Sequence, residues 1–398
     1  MISVTNATKA AWEDETSYKE YEITFDDPEY PVTYGNDAIK KDSINITASI
    51  LSSNRLEFGG CISRKLEITL DGPRSMGGDS NERIPVTLRA RANNTEWIDL
   101  FAGVTVSQEL EENNVLVKYV AYDAFYDMAN LDVTDFYNSI SAAQNMYSIF
   151  EDFCTETGLP AGASVSFANG YESVYLGGYA NSIKKISALD FLKQLCQLNA
   201  CWGEIDGSGY FRTVNINPND AGTIVTEYDH FKEYSGNPSY FDQVAILPTS
   251  ESYGARYPSG SRGNKVYVIQ DNVFTLNSSD ADLEDMGENI IDAMDDVNMS
   301  GFSANMMARP WLECGDKLRF PADYSVTGYS DVYILTWSFR GDQSCKHSFS
   351  SSLKESLGKE EETTLNTVSG PRDVHYSTSD ITGGTTRLAT GNIYLVYE

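Results

Sequence analysis

Ile186-Ser187-Ala188-Leu189-Asp190-Phe191-Leu192-Lys193-Gln194-Leu195-Cys196-Gln197-Leu198-Asn199-Ala200-Cys201-Trp202-Gly203-Glu204-Ile205-Asp206-Gly207-Ser208-Gly209-Tyr210-Phe211-Arg212 is the stretch on which the reading of this chain turns. Ser187 with Asp190 three residues on signals a helix start, because a hydroxyl there accepts from an otherwise unpartnered N–H, and Ile186 can staple the entry. Leu189, Leu192, Leu195 and Leu198 then recur at helical spacing. Asp206-Gly207-Ser208-Gly209 is a tight turn between short strands at Cys201–Ile205 and Tyr210–Ile216. The unit is an amphipathic helix packed on a hairpin. It contains no His, no carboxylates paired across a cleft and no phosphate-binding loop, so it reads as a packing module.

Working outward, residues 127–225 form a small α+β domain around this module. A helix over Ala142–Thr157 puts Met146, Ile149, Phe150 and Phe153 on one face, and Gly158-Leu159-Pro160 ends it. A β segment including Val174–Leu176 follows. On the N-terminal side, residues 1–126 are almost all β. Tyr21–Phe25, Ser43–Leu51, Lys65–Leu70, Ile84–Ala90, Trp97–Val104, Val106–Glu111 and Val115–Ala121 read as strands. Arg74–Glu82 is an exposed loop. The close spacing of turn signals argues for a sandwich or barrel.

On the C-terminal side, residues 226–355 return to β at Asp242–Leu247, Lys265–Ile269, Lys317–Phe320 and Tyr329–Phe339. One helix, Asp280 to about Val297, interrupts them with an apolar stripe of Leu283, Met286, Ile290, Met294 and Val297. Its other faces are acidic but lack the ligand-alternating loop of a calcium site. Residues 356–398 are a linker and tail. Gly358–Thr364 is charged, and Gly391–Glu398 is a terminal strand that needs a sheet edge, its own or a partner's.

The 398 residues suit two to four domains. Fifty-eight acidic against 29 basic side chains give a net charge of −29. That balance disfavours binding to nucleic-acid phosphates or anionic membranes. It fits a soluble chain kept apart by self-repulsion, or an acidic surface past which DNA slides. Cys61, Cys154, Cys196, Cys201, Cys314 and Cys345 are scattered in mostly apolar contexts and read as buried free thiols, not disulfides or zinc ligands. No signal peptide and no membrane-spanning apolar run is present.

His230, His347 and His375 have no Ser, Cys or carboxylate partner at a catalytic spacing. Nucleophile elbow, Walker loop, dinucleotide fingerprint and His-Glu-x-x-His are all missing. The expectation is therefore no catalytic, cofactor-binding or metal-binding residues. Hydrolysis by two carboxylates leaves no motif and stays open on the residues alone.

Three segments carry a family resemblance. They are Asp42-Ser43-Ile44-Asn45-Ile46 through Leu56-Glu57-Phe58-Gly59-Gly60-Cys61, the Ser187–Phe211 helix–hairpin, and Trp311-Leu312-Glu313-Cys314-Gly315-Asp316-Lys317-Leu318. In that order they resemble the tail hub proteins of bacteriophages and prophages, including baseplate hubs and the N-terminal, non-catalytic part of tail-associated lysins. The resemblance covers nearly all of residues 1–355, and no hydrolase is expected after it.

The resemblance implies two β-barrel domains of tail-hub type (1–126 and 226–355) flanking the α+β domain, with a C-terminal β-rich tail. It implies a homotrimeric ring with pseudo-sixfold symmetry, made in the host bacterial cytoplasm and placed in the virion tail. Such a ring joins a tail tube or distal tail protein to tip, spike or fibre proteins. It meets the tape measure protein and lets genomic DNA through without specific binding. Trp97, Phe101, Trp311 and Tyr397 are the candidate interface residues. The alternatives are a cell-wall glycan hydrolase using paired carboxylates and a carbohydrate-binding tail-tip module.

Overall fold

The computed structural model describes residues 2–27, 31–53, 55–72, 83–111, 115–140, 142–174, 176, 183, 185–233, 240–249, 254–260, 263, 265–295, 297, 299–321, 329–341, 345–351, 353, 374–377 and 393–396. The expected loop at 74–82 and the linker at 358–364 fall outside these residues.

After a short helix, α1 (Asn6–Glu13), seven strands follow: β1 (Lys19–Phe25), β2 (Val32–Tyr34), β3 (Ile44–Ser49), β4 (Lys65–Asp71), β5 (Pro85–Ala92), β6 (Ile98–Glu111) and β7 (Leu116–Tyr122). Alternation sets their inner face. Tyr21, Ile23 and Phe25 of β1, Ile44 and Ile46 of β3, and Leu66, Ile68 and Leu70 of β4 are all buried. The two strands read at 97–104 and 106–111 are one 14-residue strand, and a register shift between Thr105 and Ser107 against β7 explains the broken alternation.

The middle region has α2 (Ala124–Met128), α3 (Thr134–Ser139), β8 (Gln144–Asn145), α4 (Met146–Thr157), β9 (Ser173–Val174), α5 (Ala188–Leu198), β10 (Trp202–Ile205) and β11 (Phe211–Val214). The Asn145 side chain caps α4, and Gly158 ends it at φ 71°, a conformation that suits glycine. Ser187 caps α5 by accepting from the Asp190 N–H, as its position predicts. Phe191, Leu192, Leu195, Cys196 and Leu198 of α5 are fully buried, each Leu or Phe stabilising the fold by roughly 1.5–3 kcal/mol.

Beyond it come β12 (Thr223–Ile224), β13 (His230–Glu233), β14 (Gln243–Leu247), β15 (Ala255–Tyr257), β16 (Val266–Gln270), α6 (Asp280–Ala293), β17 (Phe302–Met307), β18 (Lys317–Pro321), β19 (Tyr329–Tyr333), β20 (Thr336–Gly341) and β21 (Lys346–Ser351). Ser279 and Asp282 form a capping box at α6. The terminal strand β23 (Ile393–Val396) pairs in parallel with β22 (Val374–Ser377), so its partner edge is in its own chain.

The two barrels expected from the resemblance do not form. Eleven strands make one open antiparallel sheet in the order β13-β17-β21-β20-β3-β4-β7-β6-β5-β1-β2. Strands from 1–126 and from 226–355 meet in it where β20 pairs with β3, Trp337 opposite Ala48 and Phe339 opposite Ile46. Hydrogen-bond capacity explains the correction. A strand has two edges; β3 uses its edges on β4 and β20, leaving none for β1.

The outer edge of β1 is also occupied. β2 pairs with Ile23–Phe25, and the Asn36 amide takes the next positions, accepting from Tyr21 N at 2.7 Å and donating to Lys19 O at 2.8 Å. The sheet does curl until Tyr21 meets Phe339 (ring centroids 6.3 Å) and Cys345 (Oη to Sγ 2.6 Å), but no ladder joins them among the described residues. The strands β14–β16 and β18–β19 lie in separate three-stranded sheets and close nothing either. Among the described residues, no helix is long and apolar enough to cross a membrane.

Candidate functional site

The three segments that carry the resemblance converge in space. Segment 57–61 is clamped between α5 and β10. Trp202 Nε1 donates to Glu57 O at 2.7 Å, Gly59 N to Cys201 O at 2.9 Å, and Phe58 packs on Trp202 with ring centroids 4.8 Å apart. Only glycine fits at 60, since a Cβ there would lie 2.0 Å from Ile50 O. In the third segment Glu313 N donates to Asp316 Oδ2 at 2.9 Å, and Gly315 turns at φ 88° into β18. This is the tight turn that Gly315-Asp316 predicts.

A buried charge cluster lies where they meet. The Arg64 guanidinium donates to Glu204 Oε1 at 2.9 Å and to Leu100 O at 3.0 Å, and lies 5.0 Å from the Trp337 ring centre. Arg212 pairs with the other Glu204 oxygen, lies 3.6 Å from Glu313 and donates to Cys314 O at 3.0 Å. Arg64 also donates its backbone N–H to Asp123 at 2.7 Å. The cluster thus ties the residue just before β4, the hairpin and the entry to β18 together.

Burial sets its electrostatics. It pushes the Glu204 carboxyl up, but Arg212 and Arg64 outweigh it and hold the pKa below the ordinary carboxylate value. Glu313 is raised by burial, with Arg212 opposing and the Glu204 charge adding to the rise. Burial raises Asp123 to about 7, against the N–H groups of Arg64 and Phe125. His347, also buried, is lowered to about 3 and stays neutral.

Glu204 and Glu313, the two carboxylates of this cluster, are 3% and 6% exposed. The cavity that touches Glu313 is about 10 Å³. A sugar cannot enter it. Open cavities of about 760 and 570 Å³ lie elsewhere, along α5 beside Glu57 and Lys193, and at the seam between Tyr21 and Ile44. His230 lies on β13 and His347 is buried on β21, while His375 falls on β22. Among the described residues no group of three or more His, Cys, Asp or Glu is arranged to hold a metal ion. None of the six cysteines is in a disulfide, and five are buried.

Three of the four candidate interface residues fall among the described residues. Phe101 and Trp311 are core side chains at 0% and 1% exposure. Trp97 is half-buried under the Arg89 and Arg91 guanidiniums, at 4.7 and 4.5 Å from its ring centre. Tyr397 lies outside the described residues. The prominent exposed apolar side chains are others: Tyr171 (85%), Tyr18 and Leu110 (both 62%) and Val115 (52%). Nothing in their local sequence marks them, because an alternating strand or a turn does not say which apolar residue lacks a covering layer.

No family model and no curated protein matches the chain. Among solved structures, it is similar to the 43 kDa tail protein of prophage MuSo2 from Shewanella oneidensis. The TM-score is 0.51 and the identity 12%, over 83% of this chain and 97% of that one. The tail protein from Neisseria meningitidis MC58 gives a TM-score of 0.51 at 8% identity, over 83% and 95%. At these identities the likeness is one of overall fold.

Proposed function

We propose that this chain is a structural tail protein of a phage or prophage, placed at the hub between tail tube and tail tip. The observation that carries the reading is the shared fold, which spans nearly the whole length of two bacterial tail proteins, one of them from a prophage. The buried cluster supports it, since Arg64, Glu204, Arg212 and Glu313 act as a fastening between distant segments and have no access to substrate. The proposal keeps the division of the chain at 126, 225 and 355.

In this reading the chain forms a homotrimeric ring in the virion tail after synthesis in the host cytoplasm. A distal tail or tube protein docks on one face, and tip, spike or fibre proteins on the other. The tape measure protein ends at the ring, and DNA passes through without specific contacts, consistent with a net charge of −29. The proposed role is mechanical, not catalytic. Trp97 remains a proposed interface residue.

Negative-stain class averages of the concentrated protein test this. Threefold rings with a central hole are the expected result. Monomers that bind neither tube nor tip proteins and that release sugars from bacterial cell walls would overturn it.

A further inference from the structure

The small cavity beside the charge cluster is lined by Arg64, Glu313, Trp337, His347, Pro310 and Leu312, among others. Arg64, Trp337 and His347 are 3%, 5% and 1% exposed. Each carries a buried nitrogen with no hydrogen-bond partner: Arg64 Nε, Trp337 Nε1 and His347 Nε2. Groups this deep are nearly always satisfied by protein or by ordered water.

The protonation of each nitrogen follows from its neighbours. His347 Nδ1 accepts from the Arg309 backbone N–H at 3.1 Å, so in the neutral ring Nε2 carries the hydrogen and is a donor. Trp337 Nε1 is a donor by nature. The Arg64 guanidinium is placed over the Trp337 ring and gains from its π-face. Besides Arg64 Nε–H, two N–H donors therefore remain, on residues whose ring centroids lie 5.6 Å apart across β20 and β21.

We propose that this cavity is a binding site for one resident water molecule, which accepts from His347 Nε2 and Trp337 Nε1 and directs a proton toward the Glu313 carboxylate. Water has two lone pairs for the two donors and two protons for acceptors on the other wall. The volume, about 10 Å³, is that of roughly one water-sized sphere. A halide would also accept from two N–H groups, but it is larger, and the Glu313 and Asp99 carboxylates on the lining repel it. The water would extend the fastening from Glu313 to β20 and β21.

The test is a high-resolution crystal structure of the full chain grown with bromide as the halide. The expected result is one oxygen-sized peak within hydrogen-bonding distance of both nitrogens, with no anomalous signal. An empty cavity overturns the proposal, and so does an anomalous bromide peak. In solution, the Trp337 indole N–H, assigned by its loss in Trp337→Phe, should show a nuclear Overhauser cross-peak to long-lived water. Absence of that cross-peak also overturns it. The crystal experiment uses only the native chain and stands if the variant fails to fold.

Discussion

The helix–hairpin module and the seam between β3 and β20 are both well packed, but they are assembled from opposite kinds of information. In the module, Trp202 pairs with Val214 and Ile205 with Phe211, around the turn at Asp206–Gly209. At the seam, Ile44 pairs with Gly341, and the Ser49 and Thr336 hydroxyls meet at 2.8 Å across 287 residues of sequence. The module's contacts are local and its signals lie within its own residues. The seam's contacts join chain ends that carry no mark of each other. The charge cluster belongs to both, since Glu204 sits in the hairpin while Arg64 and Glu313 come from the two ends.

This contrast can be broken at the cluster first. Glu204→Gln leaves Arg64 and Arg212 buried without their shared counter-charge, and should cost about 3–5 kcal/mol in urea denaturation. A loss below about 1 kcal/mol would mean that the cluster fastens nothing. Inside the module, Leu195→Ala empties a fully buried position and should cost about 3 kcal/mol by the same measurement. If it also loosens the seam, seen as faster hydrogen exchange in β3 and β20, the two regions unfold as one unit.

Acid sharpens the contrast, because His347 belongs to the seam side. Its folded pKa, about 3, lies below the unfolded value near 6.5. Its contribution is therefore complete above about pH 6.5 and is lost as pH falls toward 3. Between pH 6.5 and 4 that loss is on the order of 3 kcal/mol. Asp123, raised to about 7, has the opposite sign: its contribution is complete below about pH 4 and is lost as pH rises through 7. Comparing native chain and His347→Phe by thermal melts at both pH values isolates the histidine. Equal acid sensitivity in the two would refute the assignment. The smallest effect is local: Ser187→Ala removes the α5 cap and should cost ~1 kcal/mol, with fraying confined to the first turn of that helix.

What could be read in advance follows the same line. Ser187, Gly158 and the turn at Asp206–Gly209 are visible because capping and turn chemistry act over a few residues. The strands were visible as strands, but Ile44-Asn45-Ile46-Thr47 gives no sign of which neighbour each edge will take. Barrel closure failed as an expectation at that point, since β20 and Asn36 hold the edges closure would need. Glu204, a carboxylate inside the apolar run Cys201–Ile205, was a signal of a buried ion pair, but its partners could not be named without the fold. Phe101 and Trp311 show the remaining limit, because an aromatic residue in a β pattern reads the same in a core and on a contact surface.

The Asn36 side chain has one more consequence, for crowding. The sheet is widest at the 14-residue β6 and ends in a three-residue strand on one side and a four-residue strand on the other. Where β2 stops, an amide side chain stands in for the missing backbone. Among the described residues a neighbouring copy is therefore offered only a short template at either margin. Further copies of the chain are thereby hindered from lengthening this sheet, molecule upon molecule, into a fibre.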